Sequence, residues 1–278
     1  MSKTKVPIPK FKEYKQEGKK VTMITVYDYP MAALVDQSEA EMILVGDSLG
    51  MVVLGYDDTV PVTMDEVIHH LKAVKRGAKN TIVVGDMPFM SYQASVEDAV
   101  RNAGRLVKEG GADCVKLEGG LPVAPKIKAI VDAGIPVVGH IGLTPQSASQ
   151  LGGFKVQGKS KEDAERLLKE AIAIDQAGAY AMVLECIPAS LAKMITANVK
   201  ANTISVGAGA DCDGQNLNGY DILGLFDKFV PKFVKQYAKL STPITEAFTQ
   251  FTKEVRSGEY PQQNHCFTMA DEDLPKLY

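Results

Sequence analysis

The chain has 278 residues, and its hydrophobic share of 45% and charged share of 23% are close to globular averages. The formal net charge is −3 and lysines and arginines are spread along the sequence, which argues against nucleic-acid or membrane-surface partners. The amino terminus is polar, no apolar run is long enough to span a membrane, and the four cysteines form no C-x-x-C pair, so we expect a cytoplasmic protein with reduced thiols.

Short apolar runs recur along the chain, and each ends in small, acidic or glycine residues. Nearly continuous runs of this kind are typical of strands covered on both faces in a parallel sheet. The predicted strands cover residues 21–28, 42–49, 82–89, 114–120, 136–143, 181–188 and 203–209, with a weaker eighth near 220–224.

Amphipathic stretches between most of these runs predict helices at 64–76, 95–109, 123–133, 160–177 and 189–198. Thr63 with Glu66 predicts a capping box at the first helix, and Ser95 with Asp98 is placed in the same way before the second. Four glycines follow predicted helices, where a left-handed C-cap favours glycine: Gly77, Gly110, Gly134 and Gly178.

The alternation of strands and helices predicts parallel β/α units. Polar or glycine-rich ends follow nearly every strand, which favours a closed (β/α)₈ (TIM) barrel over a doubly wound sheet with one switch point. No composition break divides the chain. We therefore expect residues 1–278 to form a single α/β barrel domain with an amino-terminal helix, a carboxyl-terminal helix over 241–261 and an extended arm over 264–278.

Charged and polar residues cluster at the carboxyl ends of these strands. In chain order they are Asp47 and Ser48, Asp86, Lys116 and Glu118, His140 and Glu185. Residues i and i+2 of a strand point to the same face, so Lys116 and Glu118 share the barrel interior while Val115 and Leu117 face the helices.

Buried charges cost several kcal/mol each unless they are paired or bind an ion. A single acidic residue after a strand is more often a helix cap or turn residue. Oxygen ligands from Asp47, Asp86 and Glu118 on three consecutive strands, beside the inward Lys116, instead favour a hard cation such as Mg²⁺.

Three further residues have a plain structural interpretation. Asp28, after the first strand, is consistent with a turn residue, and Cys186 with a core residue. His140 is either a hydrogen-bonded histidine that lines the barrel or a substrate-binding residue. The glycine-rich segment VGAGADCDGQ is either a phosphate or dinucleotide loop, although it lacks a full G-x-G-x-x-G pattern, or a close-packed turn.

The strand ends resemble the motifs of the ketopantoate hydroxymethyltransferase family, one of the phosphoenolpyruvate/pyruvate-type barrels. The matching segments run in family order from about residue 20 to about residue 225: TVYDYPMA, VGDSLGMVVLGYDDTVPVTMDEVIHH, GDMPFMSY, VKLEGG, GHIGLTPQ, LECIP and GAGADCDGQ. One departure follows them, because Tyr220 in NLNGYDILG stands where the family commonly has histidine.

This resemblance implies transfer of a hydroxymethyl group from 5,10-methylenetetrahydrofolate to 3-methyl-2-oxobutanoate, giving 2-dehydropantoate for pantothenate synthesis. It implies Mg²⁺ held by Asp47, Asp86 and Glu118, some of them through water, and Glu185 as the proton acceptor. The keto acid would be bound at Asp47, Ser48, Asp86 and Lys116, with His140 beside them. Family members assemble as rings of dimers, often decamers, so the resemblance also implies a homo-oligomer.

Three other functions stay open on the sequence. A Mg²⁺-dependent keto-acid lyase or mutase of the same superfamily would use the same residues without folate. A non-catalytic barrel that binds a small anion would have no reason to place Lys116 and Glu118 beside two aspartates. A dinucleotide oxidoreductase would depend on the incomplete glycine pattern.

Overall fold

A closed barrel of eight parallel strands forms the centre of the computed structural model, which describes residues 3–226 and 229–275. Each strand pairs with its neighbour in sequence, and β1 closes the ring by pairing with β8 over five residues. The (β/α)₈ prediction is therefore confirmed. The strands are β1 Val21–Thr25, β2 Met42–Val45, β3 Ile82–Asp86, β4 Cys114–Lys116, β5 Val137–Gly142, β6 Ala181–Glu185, β7 Asn202–Val206 and β8 Gly214–Asn218.

Helices surround the barrel and connect its strands. The five predicted helices are confirmed, each within one residue of its expected limits. The helices are α1 Lys10–Glu17, α2 Tyr29–Gln37, α3 Leu49–Val52, α4 Met64–Gly77, α5 Val96–Lys108, α6 Ala124–Asp132, α7 Ala148–Leu151, α8 Lys161–Gln176, α9 Ala189–Asn198, α10 Gly219–Ile222 and α11 Ser241–Ser257. No helix within residues 3–226 and 229–275 is long and apolar enough to cross a membrane.

The predicted helix starts at α4 and α5 have the expected caps. Thr63 and Glu66 form the complete capping box, and the Ser95 hydroxyl accepts a hydrogen bond from the backbone N–H of Asp98. Helix α2 was not among the predicted helices. Its N-cap is Asp28, whose carboxylate accepts the N–H of Met31, so this residue after β1 caps a helix.

The eighth strand lies earlier than predicted. Residues 220–224 were expected to form it, but β8 is Gly214–Asn218 and Gly219–Ile222 is the short helix α10. The sequence of this strand, GQNLN, contains one apolar side chain, Leu217. The buried Asn216 accepts a hydrogen bond from the Thr25 hydroxyl of β1. Pairing with β1 and β7, rather than an apolar run, holds this strand in place.

Two of the four predicted glycine caps are wrong. Gly134 and Gly178 have positive φ angles of 86° and 97°, as a left-handed cap requires. Gly77 is the last residue of α4 instead, and a Cβ there would lie 2.6 Å from the carbonyl oxygen of Tyr29. Gly110 is equally tight, because its Cβ would lie 2.6 Å from the carbonyl oxygen of Leu106. At these two positions, small size permits close packing.

Two apolar clusters divide the interior. The larger lies between the strands and the outer helices and includes Val115 and Leu117, which confirms their outward orientation. The smaller fills the amino-terminal half of the barrel and is covered by Phe11 and Tyr14 of α1. Because apolar side chains fill that end, the charged residues are confined to the opposite, carboxyl-terminal end.

The carboxyl-terminal segment includes the predicted helix as α11, which has no buried residue. The predicted arm over 264–278 is exposed where it is described and contains short 3₁₀ turns at Gln263–His265 and Asp271–Asp273. Its last three residues, 276–278, lie outside the described residues. The single-domain arrangement stays a prediction.

Candidate active site

The barrel brings all the predicted site residues to one end. They lie in or just after strands β2 to β6, whose carboxyl ends meet in the ring. Five of them are buried and two, Ser48 and Glu185, are half-buried. The buried residues are Asp47, Asp86, Lys116, Glu118 and His140.

Lys116 lies among the carboxylates. Its Nζ is 2.7 Å from Asp86 Oδ1 and 3.7 Å from Glu118 Oε1. Burial alone would lower the pKa of the ammonium, but the charges of Asp86, Glu118 and Asp47 outweigh burial and raise it. Lys116 therefore stays charged while it is 3% exposed.

His140 extends this charged network to the next strand. Its Nδ1 lies 3.3 Å from Glu118 Oε1, and its Nε2 lies 3.2 Å from Glu185 Oε2, in an orientation that does not close a hydrogen bond. Burial and Lys116 lower the pKa of the imidazole, but Glu118 and Glu185 outweigh them and raise it to about 9. His140 thus links the buried carboxylates to the half-buried Glu185.

Asp47 and Asp86 are neighbours. The backbone N–H of Asp47 donates to Asp86 Oδ2 at 3.1 Å. Burial, followed by the charges of Asp86 and Glu118, raises the pKa of Asp47 well above its ordinary value. Burial also raises the pKa of Asp86, although Lys116 opposes it. Three buried carboxylates thus lie beside one buried lysine and one buried histidine, and a bound cation would favour the ionised form of the two aspartates.

The donor set at Asp47 and Asp86 fits a hard cation. Both aspartates are buried, and they supply carboxylate oxygens from the ends of adjacent strands. Mg²⁺ is commonly held by one or two carboxylates and keeps waters or substrate oxygens as its other ligands.

Glu118 is less free than the two aspartates. Its Oε1 lies beside His140, and its Oε2 accepts the backbone N–H of Gln146. Within the described part of the chain, no three His, Cys, Asp or Glu side chains are grouped to hold one ion. Contact between Glu118 and a cation through water fits this arrangement better than direct ligation, and the three-residue ligand set stays a prediction.

Ser48, which follows β2, is held by residues at the ends of the nearby strands β1 and β8. Its Oγ lies 2.8 Å from the hydroxyl of Tyr27, which also accepts a hydrogen bond from Asn218 Nδ2 at 2.6 Å. Tyr220, the departure from the family pattern, lies on α10 and donates its hydroxyl proton to Asp28 Oδ2 at 2.7 Å. Tyr220 therefore joins α10 to the start of α2 beside the site.

Sequence reasoning missed two buried residues of the site, Tyr92 and Gln146. The Gln146 side chain donates to Asp47 Oδ2, and the Tyr92 hydroxyl donates to Gln146 Oε1. Both belong to the segments GDMPFMSY and GHIGLTPQ that carried the family resemblance. Both side chains are uncharged and follow a predicted strand, so their chemistry alone did not mark them as site residues.

Two structural interpretations have clear outcomes. Cys186 is half-buried with a positive φ of 47°, so its prediction as a core residue is wrong. It turns the chain away from β6 immediately after Glu185. The glycine-rich segment is packed closely, because a Cβ on Gly207 would meet the Phe233 ring at 2.5 Å and one on Gly209 would meet Ala189 at 2.6 Å. Packing explains these glycines without a phosphate.

Comparison with known proteins identifies close relatives. Residues 5–263 match the family model of ketopantoate hydroxymethyltransferase. The 3-methyl-2-oxobutanoate hydroxymethyltransferase of Heliobacterium modesticaldum is 59% identical, with 96% of this chain and 97% of that protein covered. The protein of the same name from Moorella thermoacetica is 58% identical, with 95% and 98% covered.

Solved structures of lower identity share the fold. A phosphoenolpyruvate phosphomutase from Streptomyces platensis subsp. rosaceus has a TM-score of 0.60 at 14% identity, covering 91% of this chain and 88% of that chain. Phosphonopyruvate hydrolase in complex with oxalate and Mg²⁺ has a TM-score of 0.59 at 10% identity, covering 93% and 92%. At such identities, the likeness concerns the barrel alone.

Proposed function

The chain belongs to the ketopantoate hydroxymethyltransferase family, and from that membership we propose that it transfers a hydroxymethyl group to 3-methyl-2-oxobutanoate. The donor is 5,10-methylenetetrahydrofolate, water supplies the hydroxyl oxygen, and the product is 2-dehydropantoate. The observation that carries this proposal is the buried network that runs from Asp47 through Lys116 and His140 to Glu185. The reaction needs a base for C3 of the keto acid and positive charge near its carbonyl oxygen.

Mg²⁺ is the cofactor in this proposal, held by Asp47 and Asp86 with Glu118 contacting it through water. When bound, it supplies Lewis acidity that polarises the keto-acid carbonyl and stabilises the enolate. The two neighbouring buried carboxylates, with the Asp47 N–H donating to Asp86 Oδ2, support this assignment.

Glu185 is the proposed base. It ends β6, which stands four strands from β2 in the ring, so its carboxylate lies on the side of the barrel opposite Asp47. It is half-buried, which leaves it open to a substrate at the mouth, and His140 Nε2 lies 3.2 Å from it. Glu185 accepts the proton from C3, and the electron pair moves toward the carbonyl oxygen. Water releases the methylene carbon from the folate nitrogens as formaldehyde, leaving tetrahydrofolate. C3 forms its new bond to that carbon, and the formaldehyde oxygen takes a proton to become the hydroxyl of the product.

Lys116 and Ser48 act on the keto acid in this proposal. The Lys116 ammonium is fixed between Asp86 and Glu118, so it offers positive charge at a constant position as negative charge develops. The Ser48 hydroxyl, oriented by Tyr27, donates to the substrate carboxylate.

We further propose a cytoplasmic homo-oligomer. Helix α11 exposes Ile244, Phe248, Phe251 and Val255, which are three or four residues apart and therefore lie on one side. An apolar stripe of this kind is typical of a helix that packs against another subunit.

The decisive experiment is an assay of 2-dehydropantoate formation from 3-methyl-2-oxobutanoate. Turnover should require both methylenetetrahydrofolate and Mg²⁺, and should stop after chelation or in the Asp47→Ala/Asp86→Ala double variant. Turnover of a keto acid without folate would assign a lyase or mutase instead. Full turnover after chelation would contradict the metal assignment, and reduction of a nicotinamide would indicate the oxidoreductase alternative.

A further inference from the structure

Gln146 forms hydrogen bonds to two of the proposed ligands, Asp47 and Glu118. It is 5% exposed and lies in the 3₁₀ turn Pro145–Ser147 that follows β5. Its side-chain Nε2 donates to Asp47 Oδ2 at 2.9 Å, and its backbone N–H donates to Glu118 Oε2 at 3.1 Å. One residue therefore holds carboxylates that follow two non-adjacent strands, β2 and β4.

The hydrogen bonds of the Gln146 amide fix its orientation. Nε2 also donates to the carbonyl oxygen of Met87 at 2.9 Å, and a carbonyl can only accept. Oε1 accepts from the Tyr92 hydroxyl at 2.7 Å and from Gln93 Nε2 at 3.3 Å. Gln93 is itself oriented, since its own Oε1 accepts the N–H of Tyr92. All four hydrogen-bonding positions of the amide are used. If the amide were flipped, its oxygen would lie against the oxygens of Asp47 and Met87, and its NH₂ group would lie against the NH₂ group of Gln93.

Each of the three carboxylates consequently has one oxygen tied to a protein N–H. Gln146 supplies two of these N–H groups, and the backbone N–H of Asp47 supplies the third to Asp86 Oδ2. The opposite oxygen of Asp86 contacts the Lys116 ammonium, and the opposite oxygen of Asp47 faces away from its bond to Gln146. Mg²⁺ demands near-ideal octahedral geometry, so the rotation of these carboxylates matters for its affinity.

We infer that Gln146 is a positioning residue that orients Asp47 and Glu118 for the cation and is itself oriented by Tyr92. This inference rests on the Mg²⁺ site of the proposed function. Groups that orient metal ligands contribute roughly 10- to 100-fold to metal affinity or activity. The same carboxylates without Gln146 would bind the ion more weakly, and their chemistry would be unchanged once it was bound.

The test measures Mg²⁺ binding to the metal-free chain by titration calorimetry. Gln146→Met keeps the length of the side chain and removes its side-chain hydrogen bonds, including the one to Asp47, while the backbone N–H still donates to Glu118. We expect the Mg²⁺ dissociation constant to rise roughly 10- to 100-fold. In steady-state assays, the Mg²⁺ concentration for half-maximal rate should rise by the same factor while kcat at saturating Mg²⁺ changes little. A general structural defect would instead lower the turnover rate at every Mg²⁺ concentration, including saturating Mg²⁺.

Tyr92→Phe provides a second test if Gln146→Met does not fold. It removes one hydrogen bond to the amide and should weaken Mg²⁺ binding by a smaller factor. The Tyr92 hydroxyl also accepts the backbone N–H of Glu118, so the effect of Tyr92→Phe should shrink in the Gln146→Met background by the part that acts through the amide. Gln176→Met, at the exposed end of α8 on the opposite face of the barrel, is the matched control and should bind Mg²⁺ like the parent.

The outcomes separate this inference from the proposed function. If the parent chain binds no Mg²⁺ and forms no product, the proposed function fails. If the parent binds Mg²⁺ and both Gln146→Met and Tyr92→Phe bind it equally well, the positioning role is overturned and the function stands.

Discussion

At the scale of single residues, Lys116 shows how the site holds buried charge. Its ammonium contacts Asp86 and lies near Glu118, and all three side chains are at most 4% exposed. Such a group is not evidence of a stable core, because desolvation offsets much of the attraction between the charges. Removing one member is different, since it leaves the others buried without compensation.

Lys116→Met should therefore lower the free energy of unfolding by about 3–5 kcal/mol, measured by urea denaturation of the metal-free protein. Lys128→Met is the control, because Lys128 forms an exposed ion pair with Asp132 and should cost at most about 1 kcal/mol. Equal stability of the Lys116→Met variant and the parent would show that the buried carboxylates are neutral without it.

Glu185 has a separate role that one substitution can isolate. Glu185→Gln keeps the size of the side chain but removes the base, so the variant should bind keto acid and Mg²⁺ and lose proton exchange at C3. A positioned base contributes roughly 10²–10⁴-fold, so exchange should slow by that factor. The exchange is measured by NMR as loss of the C3 proton signal of 3-methyl-2-oxobutanoate in D₂O. The control is Glu165→Gln, on the exposed side of α8, which should exchange the C3 proton at the same rate as the parent. If Glu185→Gln also exchanged at the rate of the parent, another residue would be the base.

At the scale of elements, Asp113 ties several segments together just before β4. Its carboxylate accepts the N–H of Val83 in β3 and contacts Lys75 of α4 and Lys5 of the amino-terminal segment. Burial alone would raise its pKa, but these three partners outweigh burial and lower it. Because its pKa in the folded state lies below the unfolded value of about 3.9, Asp113 adds stability above that pH, and this is lost as the pH falls through the folded value.

Asp113→Asn should consequently destabilise the protein by roughly 1.5–3 kcal/mol at pH 7, the range for hydrogen bonds to charged groups. The difference between variant and parent should shrink below about pH 4, where the parent carboxylate becomes protonated. Urea unfolding at several pH values measures both effects. A difference that stayed constant down to pH 2 would show that the charge of Asp113 contributes nothing.

The same scale shows which elements could be predicted from sequence. Strands β1 to β7 carry local apolar runs, and parallel pairing brings their polar ends together, so the barrel and the position of the charged residues were predictable. Strand β8 has the sequence GQNLN and is held by pairing with β1, which is distant in sequence. Local hydrophobic patterns do not predict such long-range pairing. Gln146 was missed because its partners, Asp47 and Met87, are far away in sequence and meet it only in the folded barrel.

At the scale of the whole molecule, helix α11 exposes large apolar side chains on the surface of the described chain. Phe248 of α11 is 69% exposed and Phe251 is 54% exposed, although Phe251 packs on the Tyr260 ring at 5.4 Å. Complete burial of such a side chain contributes about 1.5–3 kcal/mol. A helix of 17 residues with no buried position gains little from packing within its own chain, so its apolar stripe is the surface on which the proposed homo-oligomer can be tested.

Phe248→Glu should accordingly weaken self-association by roughly 10- to 100-fold, because each 1.4 kcal/mol of lost contact corresponds to tenfold in the dissociation constant. Sedimentation velocity over a range of concentrations would show a shift toward smaller species at dilutions where the parent stays assembled. Gln250→Glu adds the same charge on another side of α11, since position 250 is not three or four residues from any member of the stripe, and should leave assembly unchanged. If Phe248→Glu sediments like the parent at every concentration, this stripe is not the contact between subunits. The assembly would then have to use another surface of the barrel.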